Sequence, residues 1–235
     1  HQLSGKKCAV IDADTADYFL VSCVDPALGE PELVVVSATA DGLTISRSNG
    51  FDGRMVADLE FKDVEVRAEH HLQFNAPLLT LIDQAQGVHA WLLASESLGL
   101  ARSLLSTTHH YLAQRQQFGV KLTELQVLQH RLVDMQLALT RLESQIELAR
   151  FKVDELGIAA AAVFFAAAKT QAARAGRYIA KQAIQLHGAI GMTDELSVGR
   201  DFKRLTANEL LAGTTGEHQR ALAARLQALS QVHND

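Results

Sequence analysis

The sequence predicts an α+β protein that is mainly helical, with an antiparallel four-helix bundle preceded by a partial antiparallel β-domain. All three prolines fall at or before Pro77, so the rest of the chain lacks the residue that most strongly breaks helices. Alanine is concentrated in that later part, where it makes up nearly half of residues 159–183. This change in composition places a boundary near residue 75, between a β-domain (1–75) and a helical domain (76–235).

Five short apolar or alternating segments predict the strands of the first domain, because β-branched and aromatic runs favour extended backbone. Turn-forming pairs such as Asp41–Gly42 and Asp52–Gly53 lie between them. Strands at this spacing indicate an antiparallel sheet or half-barrel. The five segments are residues 8–11, 19–21, 33–36, 59–61 and 64–66.

The first two helices of the second domain follow from their spacing and their ends. The first is expected over residues 78–114. The second begins at a capping box formed by Thr123 and Gln126. Its apolar residues recur at alternating spacings of three and four, which is typical of a helix packed in a bundle. This seam consists of Leu125, Leu128, Leu132, Met135, Leu139, Leu142, Ile146 and Ala149.

Two further helices complete the predicted bundle. The third is expected from Gly157 to about His187, and its many alanines allow close helix contact. The last begins at a second capping box, Thr214 with Glu217, and continues to about Val232. Four helices joined in this way predict an antiparallel bundle.

Composition excludes several functional classes. A net charge of -5 leaves no basic surface for nucleic acid. Cys8 and Cys23 form no metal-binding or disulfide pattern, which favours a reducing compartment, and we expect a cytoplasmic protein. The longest uncharged apolar stretch, 156–168, is shorter than the roughly 20 residues that cross a bilayer. We therefore expect no nucleic-acid partner and no membrane span.

The helical domain lacks the motifs of several common chemistries. A di-iron bundle needs Glu-x-x-His on two helices, and no glutamate of the bundle helices is followed by histidine at that spacing. The sequence also has no Gly-x-Ser-x-Gly, no Walker loop and no strand-linked Gly-x-Gly-x-x-Gly. We expect no metal site, and we expect the adjacent histidines His109 and His110 to lie at the surface.

Three turns combine a polar side chain with glycine at the end of a predicted helix. They are Arg115–Gly119, Gln185–Gly191 and Leu211–Thr215. The guanidinium fork of arginine suits a pyrophosphate, and free N–H groups at the start of a helix bind anions. The same residue types also cap helices. Capping and anion binding therefore both remain open for each turn.

With these turns in order, the sequence resembles the flavin-dependent acyl-CoA dehydrogenases. That family carries Arg-x-x-Phe-Gly, then Gln-x-His/Phe-Gly-Gly, then Glu-Gly-Thr, in a C-terminal four-helix bundle. The first 75 residues resemble part of the family's middle β-domain, while its N-terminal domain has no counterpart here. Three further stretches, residues 90–97, 126–135 and 202–206, are most similar to the small subunits of pimeloyl-CoA-type dehydrogenases.

The resemblance implies a site for FAD. In this family the flavin lies between two subunits, so each turn would also serve a neighbour's cofactor. Gln126 has two interpretations, as the capping-box partner and as a flavin contact. The residues that match the family's cofactor contacts are Arg115, Gln117, Phe118, Gln126, Gln185, Gly188, Ala189 and Thr214.

The catalytic carboxylate of the family has no counterpart in this chain. That base removes the α-proton of the acyl-CoA while a hydride passes from the β-carbon to the flavin. Its usual position, just before Gly-Thr, is Ala212 here, and its alternative position on the first bundle helix is His89. Alanine cannot accept a proton, and we expect His89 to lie on the helix surface. We expect no catalytic residue in this chain.

The resemblance implies FAD-dependent α,β-desaturation of an acyl-CoA thioester by a subunit whose partner supplies the base. The implied partners are acyl-CoA, another acyl-CoA dehydrogenase subunit in a homo- or hetero-oligomer, and an electron-transfer flavoprotein or similar acceptor. The alternative is a non-catalytic scaffold subunit of a hetero-oligomer. Arg115 and Gln185 favour the first interpretation, whereas Ala212 and Ala189 favour the second.

Overall fold

The computed structural model describes residues 1–25, 29–193 and 195–232, and it contains two compact units. The sheet unit is His1–Asp83, and the helical unit is Gln84–Asp235. Small antiparallel sheets precede long helices, which confirms the predicted fold class. The assignment of residues 1–75 to a partial middle β-domain remains a prediction.

Five strands form two antiparallel sheets in the described part of the sheet unit. Val21 pairs with Val34 across the smaller sheet. Side chains alternate between the two faces of a strand, so Phe19 and Val21 are buried while Tyr18 and Leu20 are exposed. The strands are β1 (Gln2–Ile11), β2 (Tyr18–Val24), β3 (Pro31–Ser37), β4 (Leu43–Asn49) and β5 (Met55–Glu65). Their orders are β1-β5-β4 and β2-β3.

Two details of the sheet unit differ from the predicted strands. β4 is a strand that the sequence does not predict, because only Leu43 and Ile45 are apolar in it. The two segments predicted near residues 59–66 belong to one strand, β5. The polar Asp63 interrupts its alternation and adopts a positive φ of 51°, and its N–H donates to the Ser4 hydroxyl at 3.0 Å.

In the described part of the helical unit, the four predicted helical segments are present, together with one further helix that the sequence does not predict. The helices are α1 (Leu78–Gln114), α2 (Gln126–His187), α3 (Ser197–Leu210) and α4 (Thr215–Val232). Gly157 has φ 78° and ψ 167°, which breaks α2 into a first arm, 126–156, and a second arm, 158–187. Arg131 donates to the Gln182 side chain at 3.4 Å across these arms. The two arms are the predicted second and third helices.

The helix α3 is absent from the prediction because its sequence is mostly polar. Val198 and Leu205 are buried, seven residues apart, with several charged residues between them. Asp201 and Asn208 are buried as well. Val198, Phe202 and Leu205, at helical spacing, form a short apolar stripe that packs into the core and stabilises this helix.

The predicted seam of the first arm is buried over most of its length. Met135, Leu139, Leu142, Ile146 and Ala149 are buried, as expected. Leu128 and Leu132, two residues of the same seam, are only partly buried and pack against the core from its edge. They lie near the end of the bundle, where fewer neighbours of this chain cover the arm. The core that faces the seam includes Ala101, Leu104, Leu112, Ile179, Ala180 and Ala183.

One predicted capping box forms and the other does not. Residue Leu125 is the N-cap of α2 and no side chain caps it, so the predicted Thr123–Gln126 box is wrong. Thr214 and Glu217 cap α4 as predicted, because the Glu217 carboxylate accepts the Thr214 N–H at 2.7 Å and Thr214 Oγ1 accepts the Glu217 N–H at 3.4 Å. No described helix combines the length and the apolar character that crossing a membrane requires.

Candidate functional site

Arg115 lies directly after α1 and leaves its guanidinium free. Its backbone is fixed at both ends, because its N–H donates to the Tyr111 carbonyl at 2.9 Å and its carbonyl accepts the Leu122 N–H at 2.9 Å. The side chain is exposed and makes no hydrogen bond or ion pair with the described residues. A fixed backbone with a free fork can bind an oxyanion from outside the chain.

The residues after Arg115 form a short β-hairpin that the sequence does not predict. β6 (Gln116–Gln117) pairs with β7 (Val120–Lys121) through a two-residue turn. Phe118 and Gly119 both have positive φ, 57° and 83°, as a type I′ turn requires. The Phe118 side chain is 88% exposed. An aromatic ring this exposed at a hairpin tip is available to a neighbouring surface.

The second turn ends α2. The Gly188 N–H donates to the carbonyls of Gln185 and Ile184, and Gly188 has φ 66° and ψ -143°, which favour glycine. A side chain at Gly188 would meet no atom within 4 Å, so the space beside this backbone is open. Gln185 and Ala189 are exposed. This turn therefore both caps the helix and offers exposed polar groups.

A ring stack brings the first two turns together. Tyr111, in the last turn of α1, stacks on His187, the last residue of α2, with ring centroids 4.5 Å apart and an angle of 25°. The His187 Nδ1–H donates to the Ala183 carbonyl at 2.8 Å, and its buried Nε2 has no partner among the described residues. The turns at Arg115 and Gln185 thus lie at one end of the bundle.

Gln126 is the first residue of α2 and is exposed. Because the capping box with Thr123 does not form, the structure leaves its side chain free of that role. The amide of Gln129, one turn later, donates to the Thr123 carbonyl at 2.8 Å instead. Of the two interpretations of Gln126, only the cofactor contact remains as a prediction.

The third turn, between α3 and α4, accepts hydrogen bonds from side chains of α2 and α4. Ala212 and Gly213 both have positive φ, 51° and 92°. Lys169 of the second arm donates to the carbonyls of Glu209 and Gly213, both at 3.2 Å. The His218 Nε2–H donates to the Ala212 carbonyl at 2.8 Å. The turn is therefore fixed from within the chain.

Burial changes the acid–base behaviour of the two groups that tie this turn. It lowers the pKa of Lys169 to about 8, because an ammonium loses its hydration in the core. Burial also lowers the pKa of His218, an effect that the hydrogen bond to Ala212 opposes and that the nearby Lys169 reinforces. Neither group was predicted as a site residue. In the sequence, the signal for Lys169 is its position directly after the alanine run Ala166–Ala168, which indicates a lysine on a buried helix face.

The third turn lies far along the bundle from the first two. Lys169, which contacts Gly213, and His187, which marks the end of α2, are eighteen residues apart on one helical arm. At 1.5 Å per residue this is about 27 Å. The residues predicted to contact FAD therefore form two groups, with Thr214 apart from Arg115 and Gln185.

The two family positions for a catalytic base lie at the same level of the bundle. His89 is exposed on α1, as expected. Its neighbour Trp91 stacks on Phe165 with centroids 5.4 Å apart, and Phe165 is one helical turn before Lys169, which holds the turn that bears Ala212. Neither position carries a carboxylate. Among the described residues, no group of three or more potential metal ligands clusters together.

Comparison with known proteins identifies the family. Residues 80–227 match the model of the acyl-CoA dehydrogenase C-terminal domain. The chain is 29% identical over 237 residues to the human mitochondrial short-chain specific acyl-CoA dehydrogenase, covering 95% of this chain and 55% of that protein. It is 25% identical over 225 residues to the short-chain specific acyl-CoA dehydrogenase of Megasphaera elsdenii, covering 91% of this chain and 57% of the relative. The chain belongs to the acyl-CoA dehydrogenase family.

Solved structures share the fold over the same extent. The butyryl-CoA dehydrogenase of Megasphaera elsdenii superimposes with a TM-score of 0.89 at 23% identity, over 96% of this chain and 60% of that one. The ChsE4–ChsE5 complex of Mycobacterium tuberculosis gives a TM-score of 0.85 at 23% identity, over 96% of this chain and 60% of its own. The chain spans a little more than half the length of the relatives it matches.

Proposed function

We propose that this chain is an FAD-binding subunit for the α,β-desaturation of an acyl-CoA thioester, and that it lacks the catalytic base of the reaction. The observation that carries the proposal is the contrast at the site. Arg115 offers a free guanidinium in the family's cofactor turn, whereas the turn at the family's base position presents the methyl group of Ala212. Family membership supports the reaction class.

The residues of the first two turns fit an FAD molecule. A pyrophosphate needs cationic donors, which Arg115 supplies, and polar groups at Gln117, Gln126 and Gln185 can donate or accept further hydrogen bonds. The open space beside Gly188 lets a cofactor approach the backbone, and the added methyl of Ala189 is exposed. When bound, FAD supplies hydride acceptance from the substrate β-carbon.

The chain's own residues would bind and orient the cofactor rather than move the substrate proton. The turns that carry Arg115 and Thr214 are held at points about 27 Å apart along the second arm, at His187 and Lys169, which supports their acting on different flavins of an oligomer. Phe118 at the hairpin tip would pack against the neighbouring subunit or its cofactor. A partner subunit would supply the carboxylate that Ala212 and His89 cannot.

The partners follow from the same proposal. The occurrence of a two-protein assembly among the structural neighbours, the ChsE4–ChsE5 complex, supports an oligomer with another acyl-CoA dehydrogenase subunit. A chain with this fold also occurs in a structure of the electron transferring flavoprotein of Acidaminococcus fermentans. We propose a protein of that type as the electron acceptor. The cytoplasmic location remains a prediction.

A scaffold role is the second candidate function, and Ala212 together with Ala189 favours it. The visible absorption spectrum of the purified protein, recorded with and without a candidate partner subunit, separates the two functions. We expect flavin absorbance in at least one of the two samples, the protein alone or the protein with its partner. A protein that never acquires flavin absorbance, while still assembling with its partner, would be the scaffold.

A further inference from the structure

Lys169 is a buried cation whose hydrogen bonds with the described residues go to the end of α3 and to the turn that follows it. Its side chain lies in the second arm of α2 and only 2% of the residue is exposed. It makes no ion pair with a carboxylate among the described residues, and its ammonium donates to Glu209 and Gly213. Burying an ammonium costs free energy, and a methionine would fill a similar space without that cost. What the lysine adds is the pair of hydrogen bonds.

Neither the carbonyl of Glu209 nor that of Gly213 accepts a backbone N–H from the described residues. Glu209 belongs to the last turn of α3, where helical carbonyls have no partner within the helix. Gly213 follows Ala212, and both residues adopt the left-handed conformation that a non-glycine residue disfavours. An ammonium that bridges these carbonyls joins the end of α3 to the turn.

The same turn sets the start of α4. Thr214 follows Gly213 directly and caps α4 through Glu217. His218, in the first turn of α4, ties the Ala212 carbonyl at 2.8 Å. The position of the Thr214 hydroxyl therefore depends on the turn before it, which Lys169 holds from a distant part of the chain.

We infer that Lys169 is a positioning residue, which fixes the Ala212–Gly213 turn so that Thr214 meets the flavin. The inference rests on the proposed function, because the role of Thr214 comes from it. Lys169 itself lies behind the turn and does not touch the cofactor. Its contribution passes through the carbonyl of Gly213.

A double-mutant cycle on FAD affinity tests this inference in the oligomeric protein. We expect Lys169→Met to raise the Kd for FAD about tenfold, and Thr214→Ala to raise it by a similar factor. The double variant should bind no more weakly than Lys169→Met alone, because both changes remove one interaction. Lys169→Met combined with Arg115→Ala should instead multiply the two effects. Lys181→Met, an exposed lysine on the same arm, is the matched control and should bind normally.

One further variant and a second measurement keep the test independent of folding and of flavin. Lys169→Gln retains an N–H donor and should restore part of the affinity, with circular dichroism showing that each variant is folded. Amide hydrogen exchange without FAD should be faster over residues 211–218 in Lys169→Met, and unchanged in Lys181→Met. If the natural protein binds no FAD, the proposed function fails, and the exchange result alone decides whether Lys169 holds the turn. Unchanged exchange, or multiplying effects of Lys169→Met and Thr214→Ala, would overturn the inference.

Discussion

The hairpin at Arg115 and the turn at Ala212 are built in opposite ways. The hairpin leaves the Arg115 guanidinium free of the described residues and its Phe118 ring 88% exposed, while hydrogen bonds of its backbone fix it. The turn is tied by Lys169 and His218 from two other parts of the chain. The hairpin thus offers interactions to something outside the chain, whereas the turn is completed within it.

Under the proposed function, this difference would let a subunit bind a cofactor without carrying a catalytic base. The groups that bind a cofactor must point outward and stay free, as Arg115 does. The turn at the base position is held in place whatever side chain it carries, because its hydrogen bonds use backbone carbonyls. If Ala212 occupies the family's base position, as we propose, the alanine leaves these hydrogen bonds in place and removes only the chemistry of a carboxylate.

The largest expected effect concerns turnover. The protein alone should show negligible dehydrogenase activity on acyl-CoA thioesters with an artificial electron acceptor, since a positioned base contributes on the order of 10²–10⁴ in rate. His89→Ala should leave this background unchanged. Substantial turnover by the pure protein would contradict the account, and its loss in His89→Ala would identify His89 as the base.

The next effect concerns how tightly the first arm of α2 is packed in its middle and at its hairpin end. Leu142 is completely buried, so Leu142→Ala should lower the free energy of unfolding by roughly 2–5 kcal/mol. Leu132 is only partly buried near the hairpin end, and Leu132→Ala should cost about 1 kcal/mol. Denaturant unfolding of both variants measures the two values. Equal losses would show that the hairpin end is packed as tightly as the middle of the bundle.

A third prediction uses the buried ammonium of the turn. The pKa of Lys169 falls from 10.5 to about 8 in the folded protein, so the unfolded chain binds more protons between these values. Stability should therefore rise from pH 8 to 10.5, by on the order of 1–3 kcal/mol at about 1.4 kcal/mol per pKa unit. Lys169→Met should lack this rise.

The charged and titratable groups around Lys169 act as the background in that comparison. Glu209 is paired with Arg177, and Glu217 and His218 stand at the start of α4. These groups are present in the natural protein and in Lys169→Met, and the pKa of His218 lies below the range from pH 8 to 10.5. Within that range, the difference between the stability profiles of the two proteins isolates Lys169. A rise of equal size in Lys169→Met would assign the pH dependence to other groups.

The smallest effect is the loss of a helix cap. Thr214→Ala should lower stability by about 1 kcal/mol, because the start of α4 loses its side-chain acceptor. The Glu217 carboxylate accepts hydrogen bonds from the Thr214 N–H and hydroxyl, which lowers its pKa, so its contribution should fade as the pH falls into the acid range. Thermal melts at neutral and acid pH test both statements. A Ser103→Ala variant, which removes an exposed hydroxyl within α1, is the control.

Local signals predict much of this fold. Pro77 and the following apolar spacing give α1 its observed bounds, and Gly157 marks the break in α2. The capping box at Thr123 fails because the same residue types also fit a short 3₁₀ turn, which the structure has at Leu122–Glu124. Short-range patterns therefore locate helices better than they locate their first residue.

The interactions within the candidate site are less predictable. Lys169 donates to the carbonyls of Glu209 and Gly213, which lie 40 and 44 residues later in the sequence, and no local pattern encodes such a contact. The stack of Tyr111 on His187 also depends on how α1 packs against α2. Motifs in the sequence indicate the separate turns, while helix packing decides which of them lie together.

The most direct test of the central claim compares Arg115→Ala with Arg141→Ala, an exposed arginine on the first arm of α2. FAD content and melting temperature of the apo protein are measured on both variants. We expect Arg115→Ala to raise the Kd for FAD at least tenfold and to leave the melting temperature of the apo protein unchanged. Arg115→Lys should recover only part of the binding, and Arg141→Ala should keep its flavin. Full flavin occupancy with a lowered melting temperature in Arg115→Ala would contradict the account and make Arg115 a structural residue.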